Sequence, residues 1–174
     1  MKWSFKIARI AGIDVRIHST FLLLITWIGF SYWISQKSIV AVLNGILFIL
    51  LLFLFVILHE FGHALAARKY GIATKDITLL PIGGVARIEK MPKEPLQEFW
   101  VALAGPLVNF ILAILLYSWI FISNGFPNIN QLSLTGGSLL ERLAFVNLSL
   151  FLFNLIPAFP MDGGRILRAL LATK

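Results

Sequence analysis

Two histidines and a glutamate form an H-E-x-x-H motif at residues 59–63, inside a long apolar stretch. On a helix this spacing places both imidazoles on one face, about 6 Å apart, where both can ligate one tetrahedral ion. The chain contains no cysteine, so a metal ion would be held by histidines and carboxylates. Glu60 can take a proton from a metal-activated water and later deliver it to the leaving amine. The motif therefore predicts a hydrolytic zinc site, with His59 and His63 as ligands and Glu60 as the general acid and base.

The depth of this motif in its apolar stretch favours a metal site over a purely structural cluster. His59 precedes Lys69 by ten residues, which corresponds to roughly 15 Å along a helix. An ionisable group at such a depth in a membrane costs about 2.5–3.5 kcal/mol, so three polar residues there need a compensating role. A buried, hydrogen-bonded cluster without a metal is the alternative interpretation.

A third protein ligand is expected, because a hydrolytic zinc site usually has three ligands and one open position. The candidates are His18 and the acidic residues other than Glu60, most of which lie among basic residues in polar segments. Asp162 differs, because it follows an apolar stretch in N-L-I-P-A-F-P-M-D-G-G, whose prolines and glycines are predicted to prevent a regular helix. Unwound backbone at membrane depth is tolerated only beside protein or a water-filled cavity. Asp162 is therefore the preferred third ligand, and His18 is the alternative.

The elements that would position these residues are indicated by composition and hydropathy. Hydrophobic residues make up 59% of the chain, charged residues make up 13%, and the mean hydropathy is +0.88, which is typical of a membrane protein. β-prone runs on either side of the P-I-G-G sequence at residues 81–84 predict a hairpin or bent strand. We predict an all-α membrane bundle of about four transmembrane helices, with a small β-hairpin or sheet element at the cytoplasmic side. The predicted spans are residues 19–35, 39–70, 99–122 and 143–159.

The basic residues are distributed unevenly along the chain. All but two of the 15 lysines and arginines lie in residues 2–16, 68–93 and 165–174. With four spans these segments lie on one side of the membrane, which the positive-inside rule assigns to the cytoplasm. We expect a multi-pass protein of the cell membrane, with both termini and the active-site opening on the cytoplasmic side. No basic run is interleaved with aromatic residues, so the net charge of +7 does not indicate nucleic-acid binding.

Four sequence motifs together resemble the site-2 proteases, a family of intramembrane zinc metalloproteases. H-E-x-x-H alone is moderately specific, whereas its combination with N-x-x-P-x-x-P-x-D-G-G in this order is very specific. Members commonly carry further helices or a regulatory domain after this point, so we expect residues 1–174 to be a single core domain of a minimal member or of a fragment. The motifs are H-E-F-G-H at 59–63, G-G-V-A at 83–86, A-G-P-L-V-N at 104–109 and the D-G-G motif at 154–164.

The resemblance implies roles for individual residues. His59, His63 and Asp162 are expected to bind Zn2+, and Glu60 is expected to be catalytic. Asn154 is expected to donate a hydrogen bond to the oxyanion that forms when water attacks the scissile carbonyl.

Two asparagines have alternative interpretations. Asn154 is either this oxyanion donor, or a helix cap or donor to carbonyls that are freed near Pro157. Asn109 is expected either to make a helix-packing hydrogen bond or to contact substrate.

The expected substrates are single-span membrane proteins or peptides in the lipid bilayer. A helical amide is shielded and already hydrogen-bonded, so the substrate is expected to bind in extended form, on a free edge of the strands in residues 72–88. Two alternative functions are a membrane metal-dependent hydrolase of another bond and a non-catalytic zinc-binding membrane protein. The latter would not need Glu60.

Overall fold

The computed structural model describes residues 3–89, 94–124 and 137–173 of the protein. The described residues are mostly helical, with a small four-stranded sheet. Helices occupy all four stretches that were predicted to be apolar spans, and the predicted hairpin is present. In chain order the elements are β1 (Ser4–Ile10), β2 (Ile13–His18), α1 (Ser19–Gln36), α2 (Ile39–Lys69), β3 (Thr74–Leu80), β4 (Gly83–Ile88), α3 (Pro95–Asn124), α4 (Leu139–Asn154) and α5 (Asp162–Ala172).

The sheet includes two N-terminal strands that were not predicted from the sequence. β1 pairs antiparallel with β2, β2 runs parallel to β3, and β3 pairs antiparallel with β4, so β4 lies at one edge. The alternation of Ile13, Val15 and Ile17 with polar residues is the period-two pattern of a half-buried strand, but it extends over only six residues. Ile13 and Val15 are buried in one cluster with Ile77 of β3 and Ala64 of α2. The sheet is thereby fixed to the helix that carries the histidines.

Helix α2 is the central element of the helical part. Its N-cap is Ser38, whose side chain accepts a hydrogen bond from the N–H of Ala41, and its 31 residues contain no proline. It packs against α1, α3 and α4, and against strands β3 and β4. Gly71 follows its last turn with φ +74°, a conformation that glycine adopts at little cost. The H-E-F-G-H sequence therefore lies in a continuous helix, where the other helices and the sheet converge.

A non-helical segment, residues 155–161, separates α4 from α5. Both prolines of the D-G-G motif lie in this segment, as predicted. The expectation for the two glycines was wrong, because Gly163 and Gly164 lie inside α5. A Cβ atom on Gly163 would lie 2.3 Å from the carbonyl oxygen of Ile156. The glycines therefore allow α5 to pack closely on the unwound segment, rather than preventing a helix.

Two of the described helices are long and apolar enough to cross a membrane: α2, and α3 over Pro95–Ser123. Helices α1 and α4 are shorter, with 18 and 16 residues. Large apolar side chains are exposed on the helices, including Leu23 of α1 at 69% and Trp119 of α3 at 63%. Such exposure is typical of a surface that contacts lipid. The number of spans stays a prediction.

Candidate metal centre

His59 and His63 lie one turn apart on the face of α2 that contacts α3 and α5. Both side chains are buried. Their ring centroids are 4.7 Å apart with an interplanar angle of 81°, and their Nε2 atoms are 3.1 Å apart. The helix thus directs the same ring nitrogen of both residues towards one point, as the H-E-x-x-H spacing predicts.

Asp162, the first residue of α5, completes this group. Its Oδ2 atom lies 3.1 Å from Nε2 of His63 and 3.3 Å from Nε2 of His59. Zinc–ligand distances of about 2.0–2.2 Å at tetrahedral angles place neighbouring donor atoms roughly 3.3 Å apart. The three atoms are therefore spaced like the ligands of one tetrahedral ion, and within the described residues this is the group of histidines and acids that could hold a metal.

The far side of the His63 ring is held by the backbone of α3. Nδ1 of His63 lies 2.8 Å from the carbonyl oxygen of Val101. A carbonyl oxygen only accepts hydrogen bonds, so Nδ1 carries the proton and Nε2 keeps its lone pair. His63 is consequently in the tautomer that ligates a metal through Nε2.

The far side of the His59 ring faces a side chain of α3. Nδ1 of His59 lies 3.1 Å from Nδ2 of Asn109, and Asn109 is buried, with 1% of its surface exposed. Of the two predicted contacts for Asn109, the structure shows a hydrogen bond between helices, and its partner is a candidate metal ligand. Asn109 also lines a cavity of about 220 Å³ together with Glu60 and Asn154, so contact with substrate stays a prediction.

Two glycines allow α2 and α3 to approach closely at this level. A Cβ atom on Gly62 would lie 2.6 Å from the carbonyl oxygen of Ala104, and one on Gly105 would lie 2.1 Å from Nε2 of His63. Real Cβ atoms do not occupy such positions, because the repulsion is too large. The small residues in H-E-F-G-H and A-G-P therefore make room for the His63 ring.

The sequence profile of Peptidase family M50 matches residues 47–142 and 131–174. The chain belongs to Peptidase family M50. A zinc metalloprotease of Methanocaldococcus jannaschii is 49% identical over 100% of this chain and 47% of its own length. Stage IV sporulation protein FB of Bacillus subtilis is 35% identical over 68% of this chain and 38% of its own length. This chain therefore spans less than half the length of either relative.

A solved structure confirms the resemblance of this M50 member to the site-2 proteases. The site-2 protease from Methanocaldococcus jannaschii is 44% identical in sequence, with a TM-score of 0.69. The match covers 99% of this chain and 73% of that one. The helices and sheet described above are thus those of a site-2 protease fold.

Glu60 of this M50 member faces a cavity of about 710 Å³ that also reaches His59, His63 and Asp162. Strand β4 contributes Val85, Ala86 and Ile88 to the lining of this cavity. Gly84 of the same strand is so close that a Cβ atom there would lie 2.8 Å from Cγ of Glu60. The carboxylate is therefore held between α2 and the edge of the sheet, beside the candidate ligands.

Asn154 and His18, the two other residues considered from the sequence, are in different places. Asn154 lines the cavity, and its Nδ2 donates to the carbonyl oxygen of Leu150 at 2.9 Å. His18 lies at the start of α1, where its side chain accepts a hydrogen bond from the N–H of Thr20. His18 is not in the metal-binding group. The oxyanion role of Asn154 stays a prediction.

Arg165 lines the cavity but was not singled out from the sequence. Its Nη1 atom lies 3.7 Å from Oδ1 of Asp162. A spacing of three residues places side chains on the same face of a helix, so this contact would have been predictable if α5 had been recognised. The Val101 carbonyl has no signal in the sequence, because it belongs to the backbone.

Proposed function

We propose that this chain is the catalytic core of an intramembrane zinc metalloprotease, which hydrolyses peptide bonds within or next to transmembrane segments. The observation that carries this proposal is the convergence of His59, His63 and Asp162, with Glu60 beside them in one cavity. Such a set can hold zinc and activate water. Membership of Peptidase family M50 supports the choice of the peptide bond. Residues 1–174 are proposed to form one domain.

The residues of the cavity have separate roles in the reaction. Zinc held by the three ligands would supply Lewis acidity and lower the pKa of a water molecule towards about 7. As the oxygen of the attacking water bonds to the scissile carbonyl carbon, Glu60 accepts a proton from this water. When the C–N bond breaks, Glu60 delivers this proton to the leaving nitrogen. Asn154 donates one of its two amide protons to the carbonyl oxygen of Leu150. The second proton is available for a hydrogen bond to the oxyanion.

Four helices, α1 to α4, are proposed to cross the cell membrane, with the sheet and α5 on the cytoplasmic side. The basic residues in 2–16, 68–93 and 165–174 support this orientation. The chain has no cysteine, so single cysteines can be introduced at Lys37 and Lys75. In intact cells an impermeant maleimide should label Lys37→Cys only. Labelling of both positions, or of Lys75→Cys alone, would contradict the orientation.

Strand β4 is proposed to bind the substrate in extended form. Among the described strands it pairs only with β3, so no strand occupies its second edge, and it lines the cavity. A two-residue loop joins β3 to β4, with Leu80 opposite Gly83. In such a hairpin the closing pair exchanges hydrogen bonds with each other, so Gly84 and Ala86 turn their backbone groups towards the second edge. Ala86 forms a backbone hydrogen bond with Glu60 there, so a substrate strand would pair next to Glu60 and compete for this hydrogen bond.

A set of N-methylated substrates tests this edge pairing without changing the enzyme. Each substrate peptide has one backbone amide methylated, which removes one hydrogen-bond donor. Pairing with β4 requires donors on alternate residues only, so methylation should slow cleavage with a period of two residues. The intervening positions are the matched controls. Equal slowing at neighbouring positions would exclude strand pairing as the mode of binding.

The proposed reaction is tested with Glu60→Gln. The purified full chain is reconstituted in liposomes with a panel of single-span substrates, and bound zinc is measured in the same samples. Because general acid–base catalysis contributes about 10²–10⁴-fold, Glu60→Gln should lose turnover by at least about 100-fold while retaining its zinc.

The same samples distinguish the alternative functions. A wild-type chain that binds zinc but cleaves no peptide bond, in any substrate of the panel, would exclude the protease. If Glu60→Gln retained wild-type turnover, the role of Glu60 would be excluded. If the wild type cleaves no peptide bond, hydrolysis of another class of bond would be examined with ester and amide model compounds.

A further inference from the structure

Asn109 is a buried polar residue whose amide is only half used. Its Nδ2 lies 3.1 Å from Nδ1 of His59. Its Oδ1 has no hydrogen-bond partner in the described part of the protein, although the residue is only 1% exposed. An unpaired buried carbonyl oxygen is unfavourable. Its position behind a candidate ligand indicates that Oδ1 finds its partner at the His59 ring.

Metal binding decides which nitrogen of His59 carries the proton. Nε2 faces the candidate site and lies 3.3 Å from Oδ2 of Asp162. A ligating nitrogen needs its lone pair, so the imidazole proton must be on Nδ1. This Nδ1–H group needs a hydrogen-bond acceptor, and the amide of Asn109 lies beside it.

Asn109 can supply this acceptor. The oxygen and nitrogen ends of an amide are nearly equal in size, so the hydrogen bonds decide which end faces Nδ1. With Nδ2 towards Nδ1–H, two donors would oppose each other. With Oδ1 towards Nδ1–H, the otherwise unpaired oxygen gains a partner.

We propose that Asn109 is a positioning residue for the candidate ligand His59: its Oδ1 accepts the Nδ1–H hydrogen bond while Nε2 of His59 ligates the metal. This proposal rests on the proposed zinc site, but not on peptide hydrolysis. His63 has a backbone acceptor in the Val101 carbonyl, whereas His59 has a side-chain acceptor. The two ligands of H-E-x-x-H are therefore supported differently, and only the acceptor of His59 can be removed by a side-chain substitution.

The test measures zinc affinity by chelator competition in the full chain, in the Glu60→Gln background, so no turnover is needed. Asn109→Leu removes the acceptor at similar volume, and should weaken zinc binding about 10–100-fold, as is typical when a partner of a ligand is lost. Asn109→Asp keeps an acceptor at the same position, and should bind zinc within about threefold of the parent.

Asn147 provides the matched control. It is also fully buried, donates from Nδ2 to the carbonyl oxygen of Leu143 at 2.8 Å, and has an unpaired Oδ1. It lies in α4 and contacts neither histidine by hydrogen bond. Asn147→Leu should leave zinc affinity unchanged, and the melting temperature of each metal-free variant separates loss of folding from loss of zinc. If Asn109→Leu does not fold, Asn109→Ala replaces it, with Asn147→Ala as its control.

Each outcome decides the role of Asn109. Zinc affinity of Asn109→Leu within threefold of the parent would overturn the proposal. Equal weakening by Asn109→Asp and Asn109→Leu would also overturn it, because packing rather than an acceptor would then matter. So would equal weakening by Asn147→Leu. Zinc binding that follows the expected order, in a chain whose wild type cleaves no peptide, would support the role of Asn109 while refuting the protease.

Discussion

Three buried carboxylates of this protein have different partners. Asp76 in the sheet and Glu98 in α3 are 4% and 8% exposed, and each forms an ion pair with one arginine, Arg87 and Arg168 respectively. Asp162 is equally buried at 7%, but its Oδ2 faces two imidazole nitrogens. Arginine is permanently charged and balances the negative charge of a buried carboxylate, whereas a neutral imidazole does not.

The difference separates carboxylates that fix the structure from one that is placed to bind a cation. The pairs of Asp76 and Glu98 join β3 to β4 and α3 to α5, so they hold the walls of the site. The Oδ2 atom of Asp162 faces two potential metal ligands, whereas its Oδ1 atom forms a longer ion pair with Arg165 at 3.7 Å. Oδ2 is therefore the carboxylate oxygen that is placed to bind a divalent cation.

Removal of Asp162 should have the largest effect on metal binding. Asp162→Ala deletes a predicted ligand, so zinc affinity should fall by more than the roughly 10–100-fold that is typical for residues behind a ligand. Asp76→Ala should retain zinc, because its carboxylate is paired elsewhere. Metal content after dialysis against a chelator measures both. If Asp162→Ala kept its zinc, the division between the carboxylates would be wrong.

A methyl group at Gly105 should disrupt the same cluster from α3. The added Cβ of Gly105→Ala would lie 2.1 Å from Nε2 of His63, so the ring must leave its position. We expect loss of zinc and of at least about 99% of turnover, the scale of one lost catalytic interaction. Gly29→Ala is the control, because its Cβ would make only ordinary contacts, the nearest at 3.5 Å. Equal zinc content in both variants would contradict the close packing of α3 on His63.

The Glu98–Arg168 pair should affect stability rather than metal affinity. Arg168→Met leaves a buried carboxylate without its partner, which costs about 1–3 kcal/mol. The double variant with Glu98→Gln should recover part of this loss, because no charge then remains unpaired. Thermal unfolding in detergent measures the stability, and zinc content serves as the control. A double variant no more stable than Arg168→Met would show that the ion pair does not stabilise the packing of α5 on α3.

Asp76 should have the smallest effect, and it should depend on pH. Hydrogen bonds from the Arg87 guanidinium hold the pKa of Asp76 below its ordinary value. The folded state therefore gains stability above about pH 4, the unfolded pKa, and loses it as the pH falls through the lower folded pKa. Because Arg87 is half exposed, the gain is at most about 1 kcal/mol.

The acid sensitivity of the sheet can be measured on the metal-free chain, so that release of zinc does not contribute. Wild type should lose stability between pH 5 and about pH 3. Asp76→Asn should begin less stable at neutral pH and lose less over this range. Parallel pH curves for the two proteins would show that the pair with Arg87 does not stabilise the fold.

The convergence of His59, His63 and Asp162 was predictable because polar residues are rare in this apolar sequence. His59, Glu60 and His63 have a spacing with one well-defined geometry on a helix, and Asp162 followed an apolar stretch without a basic neighbour before it. The contact of Asn109 with His59 was not predictable. It depends on where α3 crosses α2, which is set by small side chains at Gly62 and Gly105 rather than by any local pattern.

The helices and strands were predicted where hydropathy determines them, and they were missed where other contacts do. The four apolar stretches are helices over most of their length, since length and composition determine them; the exception is residues 155–159, which contain Pro157. β2 was missed although Ile13, Val15 and Ile17 alternate with polar residues, because the strand is short and lies in a polar, basic segment with low hydropathy. α5 was missed because Gly163 and Gly164 lower helix propensity, and only tertiary contact with the preceding segment explains them.

The parallel pairing of β2 with β3 has a consequence for biosynthesis. β2 ends at His18 and β3 begins at Thr74, so α1 and α2 must both be synthesised before the two strands can meet. No residue of β1 or β2 lines the cavity, yet β2 pairs with β3, which in turn pairs with β4. Deletion of β1 and β2 would therefore disturb the wall of the cavity without removing any atom from it.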